Sequence, residues 1–415
     1  MNIDYKVLVN SPRLLMEAEL RPLQGQRFQP TGFADLGPGK YTLADNTEML
    51  LVESAQSVAN RMELACCQDD KRTLLPQLAG LPYVCSKHKG EVLTTSYLEA
   101  HRLSSPYLLN EEWAKKLAGE LNLRDDFPLN DQQIFRTFFK FDPCSLLHGV
   151  WLALEKYSKT FSGGRVRVTR ALSGLIEASS VKIAESGGTK FDRNAARTEE
   201  NANAKTGYGT LPFHRTEFTG KIVAYFNLDL GLLRGYRLGD DATKLLIALA
   251  LLKVRRFLSH GLRLRTACDL ETVGDLVVTR PQNFVVPGAE VLLTECQQLI
   301  KVCGDDTKLF AEPRIREVEW TPPTGNARKI ELPVGTAAPA IPDDLRERVK
   351  LKAATRKKGP TLEFPQGIDA ALAERVKSLF EDNKPVADAI TKLLTEQTGE
   401  TNPGDGGANA GDDGQ

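Results

Sequence analysis

Guanidinium and amide groups crowd the stretch from Arg21 to Phe33, RPLQGQRFQPTGF. Arg21, Gln24, Gln26, Arg27, Gln29 and Thr31 stand there, interrupted by Pro22, Gly25, Pro30 and Gly32. Such side chains grip phosphate oxygens and base edges, and a glycine lets the backbone come close to a ligand. The composition fits a nucleic-acid cradle; a long solvated loop carries similar residues. A second set follows. Ser54 stands where a helix N-cap belongs, and Val58, Met62 and Ala65 recur at helical spacing. Ser54, Gln56, Ser57, Asn60 and Arg61 decorate the other side. The free N–H groups and positive dipole end of a helix suit a phosphate, although serine caps are commonplace. Arginines form a third set. In RVRVTR, Val166 and Val168 share one strand face and Arg165, Arg167 and Thr169 the other. In HGLRLRTACDL, Leu262, Leu264 and Thr266 face one way and Arg263, Arg265 and Ala267 the other. Two such strands predict a sheet with helices behind it and an arginine-rich front.

These groups need elements to hold them. The chain of 415 residues is long enough for one large or two ordinary domains. RLLMEAEL alternates as a half-buried strand, with Leu14, Met16, Ala18 and Leu20 on one face. FKFDPCSLLHGVWLALEKY reads as a turn at Asp142–Pro143 and then a helix with Leu146, Leu147, Val150, Trp151 and Leu154 as its core stripe. His148 beside that stripe is expected to be a packed histidine, since spacing places no acid partner near it. KIVAYFNLDL is a further strand. DDATKLLIALALLKVRRFLSHG is a buried helix with an acidic start, a basic end and a stop at Gly261.

Between the strands, Glu185–Gly220 is rich in glycine, asparagine and threonine. Segments this long without aliphatic residues are uncommon inside a domain unless they function or order on binding. Its Lys190, Arg193, Arg197, Lys205 and Arg215 are interleaved with Phe191, Tyr208, Phe213 and Phe218, a mixture suited to stacking on bases. A disordered insertion has the same composition. Residues 1–332 are expected to form the main body. Residues 333–365 read as a proline-rich, then basic connector, and 366–398 as a short helical extension split near Asn383–Pro385. The glycine-rich end, 399–415, reads as a disordered tail.

Composition narrows the function classes. The 54 basic residues balance 54 acidic ones, which argues against indiscriminate coating of nucleic acid but permits a local basic channel. The longest apolar run, Leu245–Leu252, is too short to span a bilayer, and the start lacks a signal-like apolar region, so the expected place is the cytoplasm, with no membrane partner. Seven cysteines (66, 67, 85, 144, 268, 296 and 303) show no paired spacing and read as buried thiols. Cys66, Cys67, Cys85 and His88 could be gathered around zinc, but no second tight pair supports it; neither metal nor cofactor is expected.

The motifs LQGQRFQPTGFADLG, LLVESAQSVANRME, FDPCSLLHG, RVTRALSGLIEASSV and GLRLRTACDLE, in this order over roughly Ser11–Glu271, resemble the RAMP superfamily of CRISPR proteins. More narrowly, they are similar to the backbone subunit of type I-G (formerly I-U) effector complexes. The resemblance implies an α+β fold: a modified RRM-like, ferredoxin-like palm with thumb-like and finger-like insertions and a helical C-terminal extension. It implies copies stacked along one guide RNA (crRNA) as a helical filament that presents bases to a target DNA strand in antiviral defence. The partners it implies are the large subunit, the subunit carrying the repeat-cleaving endoribonuclease, and a recruited helicase-nuclease that does the cutting. By position, Glu185–Gly220 would be the thumb, and Arg21–Phe33 with the Ser54 helix start the phosphate cradle. Arg165, Arg167, Arg170 and Ser173 of the RVTRALSG region, with Arg263 and Arg265, would lie on the RNA side.

The residues themselves agree with guide holding, since base pairing reads the sequence and the protein needs only backbone contacts and stacking. No aromatic pair of an ordinary RRM marks a strand. Two other functions stay open. One is a metal-dependent RNA endonuclease using a loop acid, with Asp192, Asp240 and Asp241 available but no second acid or histidine fixed beside Asp192. The other is a nucleic-acid-free interaction scaffold. The chain is not expected to be an enzyme. If Glu185–Gly220 orders only against RNA and a neighbouring copy, limited proteolysis will cut near Asn201–Gly207 rapidly in the free chain and slowly in the assembled complex. Equal protection in both states removes the thumb assignment.

Overall fold

Alternation in the first strand, Arg13–Pro22, translates directly into structure: in the computed structural model Leu14, Met16, Ala18 and Leu20 are all buried. The structure describes residues 3–33, 36–70, 72–123, 128–152, 160–161, 166–190, 211–321, 328–332, 336, 340–346, 348–354, 359–364, 370–380 and 383–398. The chain divides into two units, Met1–Trp320 and Thr321–Gln415.

In the larger unit the first strand lies at the centre of an antiparallel sheet. The strand order is Arg263–Arg265, Cys268–Thr272, Arg13–Pro22, Leu211–Asp229, Leu172–Lys190, Glu48–Glu53, Lys40–Thr42, and Val277–Arg280 also pairs with the first strand. Leu172–Lys190 and Leu211–Asp229 form one long hairpin whose pairing runs from Leu172↔Leu228 to Lys190↔Leu211. A bulge between Ser179 and Lys182, with Ser180 at φ 52°, bends it. The ladder thus continues well into Glu185–Gly220. Period-2 pairing there is carried by backbone hydrogen bonds between polar residues, which hydrophobic alternation cannot reveal. Residues 191–210, including Asp192, Arg193, Arg197, Lys205 and Tyr208, lie outside the described residues.

One face of the sheet is covered by the helix Ala55–Leu64 and the long helix Asp240–His260, which also pack on each other. The fit is close at Gly174, where a Cβ would stand 2.7 Å from the Phe226 ring and 3.1 Å from Val58 of the helix. The other face is open. The pairings Glu17↔Tyr225, Glu19↔Val223 and Leu175↔Tyr225 place these residues and Glu177 together on it, and Tyr41 donates to Glu177 at 2.8 Å. The expected arginine-rich front is of mixed charge instead: Glu17 and Glu177 stand around Tyr225, and Lys221 pairs with Glu19 at 3.1 Å. Arg167–Val168 leaves the main sheet to form a small ribbon with Val150–Trp151, and Arg263–Arg265 sits at the sheet's edge. Alternation sets which side of a strand is apolar; it does not say which sheet the strand joins.

A second sheet pairs Ile315–Glu319 in parallel with Tyr83–His88, which pairs antiparallel with Glu91–Thr95. The smaller unit has its own core of Ile330, Leu362, Phe364, Leu372, Val376, Val386 and Ile390. It comprises three antiparallel strands (Arg328–Glu331, Lys350–Lys352, Thr361–Phe364) and two helices (Ala370–Ser378, Lys384–Thr398). The expected connector thus contributes two strands to a folded unit, their lysines turned outward around Leu351 and Leu362. Replacement of Gly174 by valine should force the Ala55–Leu64 helix off the sheet, lowering stability by about 1–3 kcal/mol. Urea denaturation of the variant checks this; an unchanged midpoint would show that the contact gives way freely.

Candidate nucleic-acid interface

The helix that begins after Ser54 forms as its cap predicts: the Ser54 hydroxyl accepts from the Ser57 N–H at 3.3 Å. Buried Glu53 stands beside that helix start and accepts from the Ser54 N–H at 3.3 Å. The anion at this positive end is thus the chain's own carboxylate. Glu53 also pairs with Arg265, whose guanidinium donates to the carbonyls of Gln29 at 2.8 Å and Val52 at 3.3 Å. Arg61 donates to the carbonyl of Arg263 at 3.1 Å and to that of Leu264. Arg61 and Arg265 therefore join the sheet edge to the helix, and reversal of Arg265 would set two carboxylates face to face in the fold. Arg263 is exposed and forms no ion pair among the described residues, so it is the cleaner candidate of that strand.

The loop after the first strand is pinned by Phe28, which is buried and exchanges backbone hydrogen bonds with Phe218 at 2.9 and 2.8 Å. The Thr31 N–H donates to the Val52 carbonyl at 2.9 Å. Between these anchors and the strand, Gln24, Gln26, Arg27 and Gln29 are exposed, and Gly25 turns with φ 73°. Arg27 reaches Glu217 of the hairpin at 3.3 Å and Arg21 reaches Glu271 at 2.7 Å. The Arg21–Glu271 pair is exposed and holds little free energy, whereas Arg27 answers the buried carboxylate of Glu217. Arg215 is also exposed; Lys190 and Phe213 lie in the hairpin strands.

The convergence is elsewhere. A cleft of about 850 Å³ is lined by Gln56 and Asn60 of the helix, by Arg167, Thr169 and Arg170, by His101 and Arg102, and by His148, Gly149 and Trp151. Four predicted residues (Gln56, Asn60, Arg167, Arg170) from segments far apart in the chain share one cavity. Arg21, Gln24, Gly25, Arg27, Gln29, Thr31, Ser54, Ser57, Arg61, Arg263 and Arg265 are not among its lining, and Arg165 lies outside the described residues. Ser173 points to the open face of the sheet, because its neighbour Gly174 abuts the covered face.

Trp151, Arg102 and Gly149 were not expected here. The helix of FDPCSLLHG stops at His148 because Gly149 adopts φ 81°, and the chain continues as the strand Val150–Trp151. A Cβ on Gly149 would lie 2.9 Å from the Val168 carbonyl, so only glycine lets the Arg167–Arg170 segment come this near. The glycine was the signal, and it shifts Trp151 from a helix core stripe to the surface, 60% exposed.

Beneath the cleft lies a buried charged cluster. Glu63 pairs with Lys253 and with Arg102, the latter at 2.9 Å, and His148 Nε2 lies 3.5 Å from the same carboxylate. Arg102 holds φ 50°, a strained conformation for arginine. Burial, followed by the cations of Arg102, Lys253 and Arg170, pushes the His148 pKa well below its usual value, so the ring is neutral. Burial and Glu63 raise the Asp142 carboxyl to about 6. Asp142 accepts from Ser145 Oγ at 2.9 Å and from the Cys144 N–H at 3.1 Å. Among the described residues no group of His, Cys, Asp or Glu could hold a metal ion: Cys66, Cys67 and Cys85 are buried thiols, and His88 Nδ1 lies 2.9 Å from the Trp320 carbonyl. Asp240 and Asp241 begin the long helix, as its acidic start predicts. No helix is long and apolar enough to cross a membrane among the described residues.

Residues 14–183 match the profile of a family described as CRISPR-associated protein GSU0053. The match covers less than half of the chain. No curated protein matches its sequence. Among solved structures, this chain is similar to a chain of a "CRISPR RNA-guided surveillance complex, pre-nicking" at 16% identity, covering 63% of this chain and 74% of that one, with a TM-score of 0.34. A chain of a "CRISPR RNA-guided surveillance complex" is 14% identical over 71% of this chain and 86% of that one, with a TM-score of 0.29. Csc2 from Thermofilum pendens is 10% identical over 74% and 82%, with a TM-score of 0.27.

Because the unfolded chain binds a proton at His148 near pH 6.5 and the fold does not, this group's contribution is present above that pH and lost as pH falls, by about 1.4 kcal/mol per unit. The variant His148→Leu should show a smaller drop in Tm between pH 7.5 and pH 5 than the wild type. An identical drop would mean that Glu63 accommodates a charged imidazole.

Proposed function

We propose that this chain is the guide-RNA-holding backbone subunit of a type I CRISPR effector complex, of the I-G kind, with a RAMP-type RRM-like palm as its body. Copies assemble along the RNA and present it for pairing with a target DNA strand. The large subunit, the endoribonuclease-bearing subunit and a recruited helicase-nuclease complete the machinery, and this subunit itself cuts nothing. The observation that carries the reading is the cleft in which Gln56, Asn60, Arg167 and Arg170 meet within the CRISPR-associated span.

The chemistry is that of a strand holder. Arg167 and Arg170 are exposed and form no ion pairs among the described residues, so their charges are available to phosphates without breaking the fold. Amides opposite them donate and accept without sequence preference, as a holder of many guide sequences requires. Arg263 and the Gln24–Gln29 loop extend cationic and amide groups along the sheet edge, giving a strand a path beyond the cleft.

Co-expression with a CRISPR array and the partner subunits tests this. The wild type should purify with a high ratio of absorbance at 260 to 280 nm, and Arg167→Glu with Arg170→Glu should bring it down to that of nucleic-acid-free protein at unchanged Tm. Arg263→Glu alone should weaken retention several-fold, more at low salt than at high. Full RNA retention by the double variant would remove the cleft from the guide path.

A further inference from the structure

Away from the cleft, cations gather a second time. The helix Asp131–Phe141 turns Gln133, Arg136 and Lys140 to one side at helical spacing, while Ile134 and Phe138 are buried. Arg136 and Lys140 line a groove of about 520 Å³ together with Arg237 and Lys308, which come from two distant turns. An adjoining hollow of about 580 Å³, lined by Lys116 and Asn122, has Gln133 and Glu120 in common with it. Lys116, Arg136, Arg237 and Lys308 are exposed and form no ion pair among the described residues. Among the described residues Glu120 is the only acid of either lining, and Lys140 already holds it at 2.9 Å.

Backbone constraints keep these cations where they are. Asn122, Arg237 and Lys308 adopt left-handed backbone, at φ 52°, 50° and 53°. Glycine takes that conformation freely, so the turns by themselves do not call for arginine or lysine. Gln132 donates to the carbonyls of Tyr236 and Arg237 at 2.7 and 3.0 Å. After Lys308, the Leu309 N–H donates to the Cys303 carbonyl at 2.8 Å, and the Ala311 N–H to that of Lys140 at 3.0 Å. Like charges fixed together repel one another, and a bound polyanion relieves that repulsion.

None of these residues lines the cleft. The long helix starts beside Gly239 of the groove, and Lys253, which meets Glu63 beneath the cleft, lies ~20 Å further along it. The chemistry differs too. Phe139 is the only aromatic residue among the described lining, and it is buried, so unpaired bases have no ring to lie on. A duplex keeps its bases inside and offers phosphates, for which spaced arginines and lysines suffice. Asp240 and Asp306 stand near the groove but outside its lining, and they confine the contact to a short run of phosphates.

We propose that this groove is a second nucleic-acid contact, holding the phosphate backbone of a duplex through Lys116, Arg136, Arg237 and Lys308. It goes beyond the guide-holding reading and stands on other residues.

The test uses the full chain freed of nucleic acid and a short labelled DNA duplex of mixed sequence, followed by fluorescence anisotropy. The wild type should bind the duplex at low salt. Arg136→Gln with Arg237→Gln should lose about tenfold in affinity and flatten the slope of log K against log salt by about 1.8, the weight of two phosphate contacts. Its Tm and its co-purification with guide RNA should equal those of the wild type. Lys308→Gln alone should flatten the slope by about 0.9. Wild-type affinity and slope in these variants, or no duplex binding by the wild type, would overturn the proposal. Loss of duplex binding from Arg167→Gln with Arg170→Gln, but not from the groove variants, would give the duplex to the cleft and overturn it as well. Displacement of the duplex by inorganic phosphate at constant ionic strength would make the groove a small-anion site. Tighter binding of polyglutamate than of the duplex would make it a dock for an acidic protein; either result would remove the duplex from it.

Discussion

A single buried carboxylate, Glu63, organises the part of the molecule that faces the cleft. It belongs to the helix on the sheet, and it is met by Lys253 from the long helix, Arg102 from a tight turn and His148 from the helix that ends at Gly149. A charge removed from water is costly unless its partners are in place, and loss of one partner leaves the others uncompensated. Hydrophobic contacts tolerate small slides between helices; an ion pair of this geometry does not. The two ion pairs therefore hold three elements in register, and the pairing with Glu63 keeps Arg102 in its strained conformation.

Glu53 plays the matching part at the other end of the same helix, where Arg265 and Arg61 bind carbonyls of the loop, the strand and the sheet edge. Acid–arginine junctions thus clamp the helix at both ends. The division of labour among arginines follows. Arg61, Arg102 and Arg265 are each satisfied by buried acids or carbonyls, whereas Arg167, Arg170 and Arg263 are exposed and form no ion pair among the described residues. Counting arginines on strands cannot make this distinction, because it depends on which acids the fold brings to them.

Much of the scaffold was legible in the residues. Alternation marked the first strand, Ser54 marked the helix start, and Asp240 and Gly261 bounded the long helix, since these signals are local and act on the backbone within a few positions. The cleft was half legible: its amides and arginines were visible as types, but their meeting was not. Trp151 was hidden by a helical spacing that Gly149 cuts short, and Arg102 by a turn held only through the distant Glu63. The strands Lys350–Lys352 and Thr361–Phe364 were obscured because proline and lysine dominate their surroundings, although Leu362 and Phe364 build a core. In each case the deciding partner lies far away in the chain.

The face of the sheet with Glu17, Glu19 and Glu177 around Tyr225 has a consequence for how the molecule behaves in a crowd. A body whose charges cancel in total but are sorted onto different faces carries a strong dipole. A polyanion drifting near it is turned away from one side and drawn in at another, so approach is oriented before contact. On the side of Tyr225 only Lys221, held by Glu19, offsets the carboxylates among the described residues.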